Sequence, residues 1–514
     1  FNAPSLMSSP FTRSIMMYPG ELDGQRLKIV AETNLHTFTF YATPKLSLQA
    51  GTVYHFPISL GFQDYEQDDM GAAQATDLAY TMVEKDLKPF YYYGEHNSYI
   101  VKPNVATTVN CTPYKSNVYY HKTGTPAALD AANRPTQAKV IWYETAMGAP
   151  TLGAFNASNY TFTVTTPAGK YGNALVGVYN AAGKILWSYH IWVPQDDPTK
   201  TLTYANTKSG AYEVMPLALG ATKIGSYDNP TEAEAAGLCY QWGRKDPLGR
   251  PNSMTTSGVA KAVTTVAGAG VPAATASTAF FTTQADNLYP VVEKMQTAGY
   301  GDTDGSVINN EIDGISVDRY MAEQSIINPT KFFKVETGSS NYWSGAQNDN
   351  FWGNPDGRNF PRPWRWQKSI FDPCPAGYRV SPYGVCDNFT TTQVTHEDEW
   401  YHYNIAHNSV SGNTRFKSGY EFYYEGMGVS DDEAKTYTPP VNGKTDFYPA
   451  SGQRNQTANI TSVGILGYYW TNVDSGVNTP WIFTLYINTD RVAPGNGVAQ
   501  KMACPLRCVK ELQQ

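Results

Sequence analysis

The chain has 514 residues, 41% of them hydrophobic and only 16% charged, enough for roughly three domains of ordinary size with buried cores. A formal net charge of −7 and the lack of any basic stripe exclude a nucleic-acid partner, which would need clustered Lys and Arg to displace counterions from phosphate. No run of roughly 18 or more apolar residues occurs, so the chain carries no membrane-spanning segment of the helical kind.

The abundance of Tyr (37), Gly (43) and Pro (33) predicts a mainly β, loop-rich chain, because aromatic and β-branched residues suit a pleated surface and Gly and Pro mark turns. The first residue is Phe1, without an initiator Met or the pattern of a signal peptide, which reads as a processed or trimmed form. In HTFTFYA (36–42) Phe38 and Phe40 alternate with Thr, a period of two that buries one sheet face. Further strands are predicted in EHNSYIVKPN (95–104), AKVIWYE (138–144) and NYTFTVTT (159–166). ALVGVYNAAGKILWSYHIWV (174–193) reads as a hairpin turning at NAAGK. Several short strands separated by turns predict a β-sandwich.

Beyond residue 196 the pattern becomes irregular. In GLCYQWGRKDP (237–247), Tyr240, Trp242, Arg244, Lys245 and Asp246 read as an internal brace of ion pairs and aromatic rings. Residues 257–278, rich in Ala, Thr, Val and Gly without acidic charge, read as a surface excursion within a longer insertion near 251–315. YGDTDGSVINNE (300–311) sets Asp302, Asp304 and Glu311 at places of a calcium loop, but Tyr300 stands where the first carboxylate belongs. Calcium is therefore a weak candidate beside an acidic turn, and no other cofactor is expected. RYMAEQSIINPTKFF (319–333) predicts a short helix ending at Asn328-Pro329.

The segment 341–367, with four Trp among Asn and Asp, supplies the candidate ligand contacts. They are Tyr342, Trp343, Asn350, Trp352, Asn354, Asp356 and Trp364. Flat aromatic faces pack on sugar C–H surfaces while amides and carboxylates bind hydroxyls; the alternative is that the Trp residues pin long loops onto the core. HEDEWYH (396–402) could bring His396, Asp398 and His402 to one metal if extended, or form a solvated acidic loop. No nucleophile elbow or phosphate-binding glycine loop occurs. Six cysteines (Cys111, Cys239, Cys374, Cys386, Cys504, Cys508) allow 15 pairings, and the sequence alone fixes none.

Three landmarks, residues 215–247, KSIFDPCPAGYRV (368–380) and MACPLRCVK (502–510), together resemble the Fibrobacter-type major paralogous domain, a lectin-like module of Bacteroidetes surface proteins. HNSYIV and GNALVGVYNAAGKILWSYHIWV ahead of it resemble the fimbrillin-like pilus and adhesin subunits of the same bacteria. The resemblance implies a fimbrillin-like β domain over 1–88, short for its kind, a β-sandwich over 89–196, and an irregular α+β, C-type-lectin-like domain over 197–514. It further implies a Cys374–Cys508 disulfide, hence an oxidising compartment, leaving Cys504 free to pair with Cys386. The expected function is a cell-surface adhesin, at the tip or an accessory position of a fimbria on the outer membrane. It would join other pilus subunits by strand addition and bind a glycan or surface protein without being an enzyme. The alternative is a polysaccharide-handling or sulfatase-modifying-factor-like enzyme working through Cys504 and Cys508.

Overall fold

A computed structural model describes residues 97–111, 135–204, 211–269, 324–334, 343, 351–352, 371–386, 419–425, 443–474 and 498–511, and the backbone of further strands. Among those strands, Leu27–Glu32 and Thr37–Ala42 pair antiparallel, as the alternation around Phe38 and Phe40 requires. The fold is mainly β and is made of several small, mostly antiparallel sheets.

The largest sheet has five strands: β1 (Ser98–Ile100), β2 (Gln137–Glu144), β3 (Gly172–Tyr179), β4 (Ile185–Val193) and β5 (Val263–Thr265). Their spatial order is β5-β2-β3-β4-β1. The β3–β4 hairpin closes at Asn180, whose side-chain Oδ1 accepts from the Lys184 N–H at 2.8 Å. Gly183 sits there at φ +79°, a left-handed conformation glycine adopts at no steric cost. Both hairpin strands are buried along their whole length, so both faces of this sheet are covered. One cover is a three-stranded sheet, Thr107–Asn110, Thr161–Thr165 and Thr151–Leu152. In it Phe162 and Val164 point inward and Thr163 is exposed, the alternation of a half-buried strand.

The region expected to be a surface excursion supplies β5 instead. Val263 pairs with Glu144 and Thr265 with Trp142, and the Val266 N–H donates to the Ile141 carbonyl. The β-branched Val-Thr-Thr run covers an edge that β2 would otherwise leave open. The sheet expected to end near residue 196 thus takes its last strand from within the C-terminal region. The hydroxyl of Ser188 on β4 donates to Asp246 at 2.6 Å, and the Trp192 indole donates to the Ala221 carbonyl at 2.6 Å.

The C-terminal region closes on itself through β6 (Tyr378–Val380) and β7 (Arg507–Lys510). They sit in a sheet ordered Leu202–Tyr204, Tyr212–Ala218, β7, β6. Val380 lies opposite Cys508, and Cys508 is disulfide-bonded to Cys374 with their Cα atoms 6.0 Å apart. The helix expected to stop at Asn328 does so: residues 324–327 are helical, and the Asn328 N–H and side-chain amide both donate to the Gln324 carbonyl.

Candidate functional site

GLCYQWGRKDP forms the expected brace, with Tyr240, Trp242, Arg244, Lys245 and Asp246 all buried. Its strand is only two residues long, Tyr240–Gln241, so a ladder cannot satisfy the backbone here. Indoles do so instead. Trp470 donates to the Tyr240 carbonyl at 2.6 Å, Trp343 to the Trp242 carbonyl at 2.6 Å and Trp352 to the Arg244 carbonyl at 3.1 Å. Every second carbonyl of residues 240–244 therefore ends on a tryptophan N–H. The indole of Trp242 donates outward to the Thr471 carbonyl at 2.9 Å. Gly243, at φ +88°, is required between them, since a Cβ there would come within 2.6 Å of the Phe351 Cβ.

The charged members are equally committed. Arg244 donates to Gln241 Oε1 at 2.9 Å and to the Lys331 carbonyl at 2.7 Å, with its guanidinium 4.5 Å from the centre of the Phe333 ring. Burial lowers its pKa to about 10, which leaves it charged at neutral pH. Lys245 donates to Asp246 and to the Ser188 hydroxyl, both at 2.6 Å, and its ammonium lies 4.6 Å from the Trp187 ring centre.

A second polar chain crosses the five-stranded sheet. Ser98 Oγ lies 2.8 Å from His190 Nδ1, and His190 Nε2 lies 2.9 Å from Asn173 Oδ1. The Asn173 amide donates to Glu144, whose carboxylate receives two hydrogen bonds from Arg250 at 2.8 and 3.0 Å. The order hydroxyl, imidazole, amide is that of a nucleophile with its base and orienting group. Here it is buried throughout, and the Ser98 Oγ also lies 2.5 Å from the Pro373 carbonyl oxygen. Burial pushes the His190 pKa from 6.5 down to about 3, so the ring is neutral at pH 7. The arrangement is a tie between β1, β3, β4 and the segment preceding Cys374. Sequence reasoning missed it, although a His and an Asn inside two largely apolar strands were the available signal.

Of the seven candidate ligand contacts, Trp343 and Trp352 lie among the described residues. Each is 1% exposed, with its indole spent on the brace, so neither offers a face to a sugar; they pin the loops onto the core. Trp343 stacks on Phe351 at 5.4 Å and Trp352 lies against Trp242 at 5.4 Å. Tyr342, Asn350, Asn354, Asp356 and Trp364 lie outside the described residues, as do Asp302, Asp304, Glu311, His396 and Asp398. Among the described residues no group of three or more His, Cys, Asp or Glu is placed to hold a metal.

The disulfide that the resemblance implied, Cys374–Cys508, is present. The pairing of Cys504 with Cys386 is not, because both are buried thiols. Tyr240 lies opposite Cys504 in the antiparallel pairing of residues 240–241 with Ala503–Cys504. The Cys504 thiol is pushed well above its ordinary pKa by burial and by the neighbouring Cys239, whose own pKa burial raises to about 11. No family model, no curated protein and no solved structure matches this chain.

Proposed function

We propose that the chain is a cell-surface adhesin, a tip or accessory subunit of a fimbria, whose C-terminal region grips a glycan or surface protein. The observation that carries this reading is the braced frame around residues 240–246, in which indole N–H groups cap alternate carbonyls and a disulfide closes the chain. Such a frame suits holding loops in place for contact. It is poorly suited to reaction, because its charged and nucleophilic groups are buried and already engaged. The thiols support the same choice. Exchange or soft-metal chemistry needs a thiolate favoured by its surroundings, whereas burial holds Cys504 well above its ordinary pKa.

The remaining candidate contacts occupy sequence bounded by fixed points. Asn350 directly precedes Phe351, and Asn354, Asp356 and Trp364 fall between Trp352 and Phe371, both buried in the core. Binding to a glycan array and to displayed surface proteins, together with incorporation into fimbriae, tests the reading. Binding that is lost in Asn354→Ala with Asp356→Ala, at unchanged thermal stability, is the expected result. No binding and no incorporation would overturn it. Turnover of a sulfatase peptide or polysaccharide that disappears in Cys504→Ser would replace it with the enzyme.

A further inference from the structure

Residues 371–375 lie along the outer edge of β1. The Asn97 amide donates to the Asp372 carbonyl at 2.8 Å and the Ser98 hydroxyl to the Pro373 carbonyl at 2.5 Å. Ser98 also forms a parallel bridge with Pro375, so this segment follows β1 in the sheet. Asn97 is aimed by the Trp187 indole, which donates to its Oδ1 at 3.0 Å, and Trp187 packs on Phe371. The Asp372 carboxylate shapes the segment by accepting from the N–H groups of Cys374 at 2.8 Å and Val380 at 2.9 Å. The far side is fixed covalently, since Cys374 is bonded to Cys508 on β7.

A sheet edge is a template for another strand, and β1 is a poor one to leave uncovered. Its Ser-Tyr-Ile sequence is uncharged and suited to a strand, and it holds β4 by only three pairs, from His190 to Trp192. The covering segment is built to stop the sheet. Pro373 and Pro375 carry no N–H, so neither position can donate to a further strand.

We infer that residues 371–375 are a strap that caps the five-stranded sheet, that the Cys374–Cys508 bond fastens it, and that an unfastened strap pairs with the β1 edge of a second copy of the chain. The partner is a second copy because the segment shaped for this edge is present on every copy, and exchange of an identical element is a low-cost route to dimers. The inference holds whichever ligand the chain grips.

Amide hydrogen exchange and sedimentation velocity on Cys374→Ser with Cys508→Ser test it. Exchange at Ser98–Ile100 is expected to quicken by about tenfold or more while β3 stays protected, and dimers are expected to accumulate with concentration. Unchanged exchange at Ser98–Ile100 in a folded double variant would overturn the strap, and a monomer at every concentration would overturn the swap. If the double variant does not fold, Ser98→Ala decides, because it keeps the disulfide and removes the hydroxyl that donates to Pro373. Quicker exchange confined to β1 supports the strap, and exchange equal to that of the parent chain refutes it.

Discussion

Within the five-stranded sheet, the backbone of β3 and β4 is satisfied by the ladder, and apolar side chains from Ala174 to Val193 fill the space around it. Around residues 240–246 the strands are two residues long, and tryptophan N–H groups and arginines do the same work. The first region rests on burial of apolar area, which falls off gradually as methylenes are removed. The second rests on polar partners, each of which leaves an orphan when taken away. Equal losses of volume should therefore cost unequal amounts in the two regions.

The largest effect is expected at Asp446. Its carboxylate accepts from Arg507 and from the Tyr204 hydroxyl, and the Arg507 guanidinium lies 3.7 Å from the centre of the Tyr448 ring. Burial lowers the Arg507 pKa, but Asp446 and the surrounding tyrosines outweigh it and hold the group charged, above its ordinary value. Asp446→Ala strands that charge in the interior and should cost about 3 to 5 kcal/mol in chemical denaturation. A loss under about 1 kcal/mol would mean that water reaches the site.

Trp343→Phe and Trp352→Phe keep most of the ring and remove the indole donor. Each should cost about 1 to 3 kcal/mol, because a buried carbonyl loses its partner. The comparison fails if they cost no more than a lost methylene in the sheet.

The pH dependence sharpens the contrast from the other side. His190 stays neutral in the folded chain, with a pKa near 3 against an ordinary 6.5. The unfolded chain therefore binds a proton that the folded one refuses. This contribution is complete above the unfolded value and is lost as pH falls from there toward the folded value, reaching a loss of about 2 kcal/mol near pH 5. His190→Gln should flatten that part of the stability profile, and a variant with the parent's slope would show that His190 is not the group responsible. The smallest effect, about 0.5 to 1.5 kcal/mol, is expected for Ile191→Val within β4.

The two regions were also unequally legible. Continuous apolar runs and the NAAGK turn revealed β3 and β4, and alternation revealed the strands at 37–42 and 161–165, because these elements are specified by local pattern. The brace at 240–246 was visible from its mixture of rings and charges, and the disulfide from the resemblance alone. Trp343 and Trp352 were less readable. Tryptophan among Asn and Asp has the same composition whether the indoles face a ligand or cap the chain's own carbonyls, and the deciding partners lie roughly a hundred residues away, at Trp242 and Arg244. β5 escaped notice because its Val-Thr-Thr sits within an Ala- and Gly-rich stretch. The Ser98–His190–Asn173 chain escaped because a polar residue in an apolar strand announces burial without naming its partner.

Hydrogen exchange of the indole N–H groups, followed by NMR on protein labelled with nitrogen-15 at tryptophan, tests the capped frame most directly. The indoles of Trp242, Trp343, Trp352 and Trp470 should exchange only as slowly as the chain unfolds globally. Prompt exchange at Trp343 and Trp352 under native conditions would contradict the capped frame and return both rings to the surface as ligand contacts.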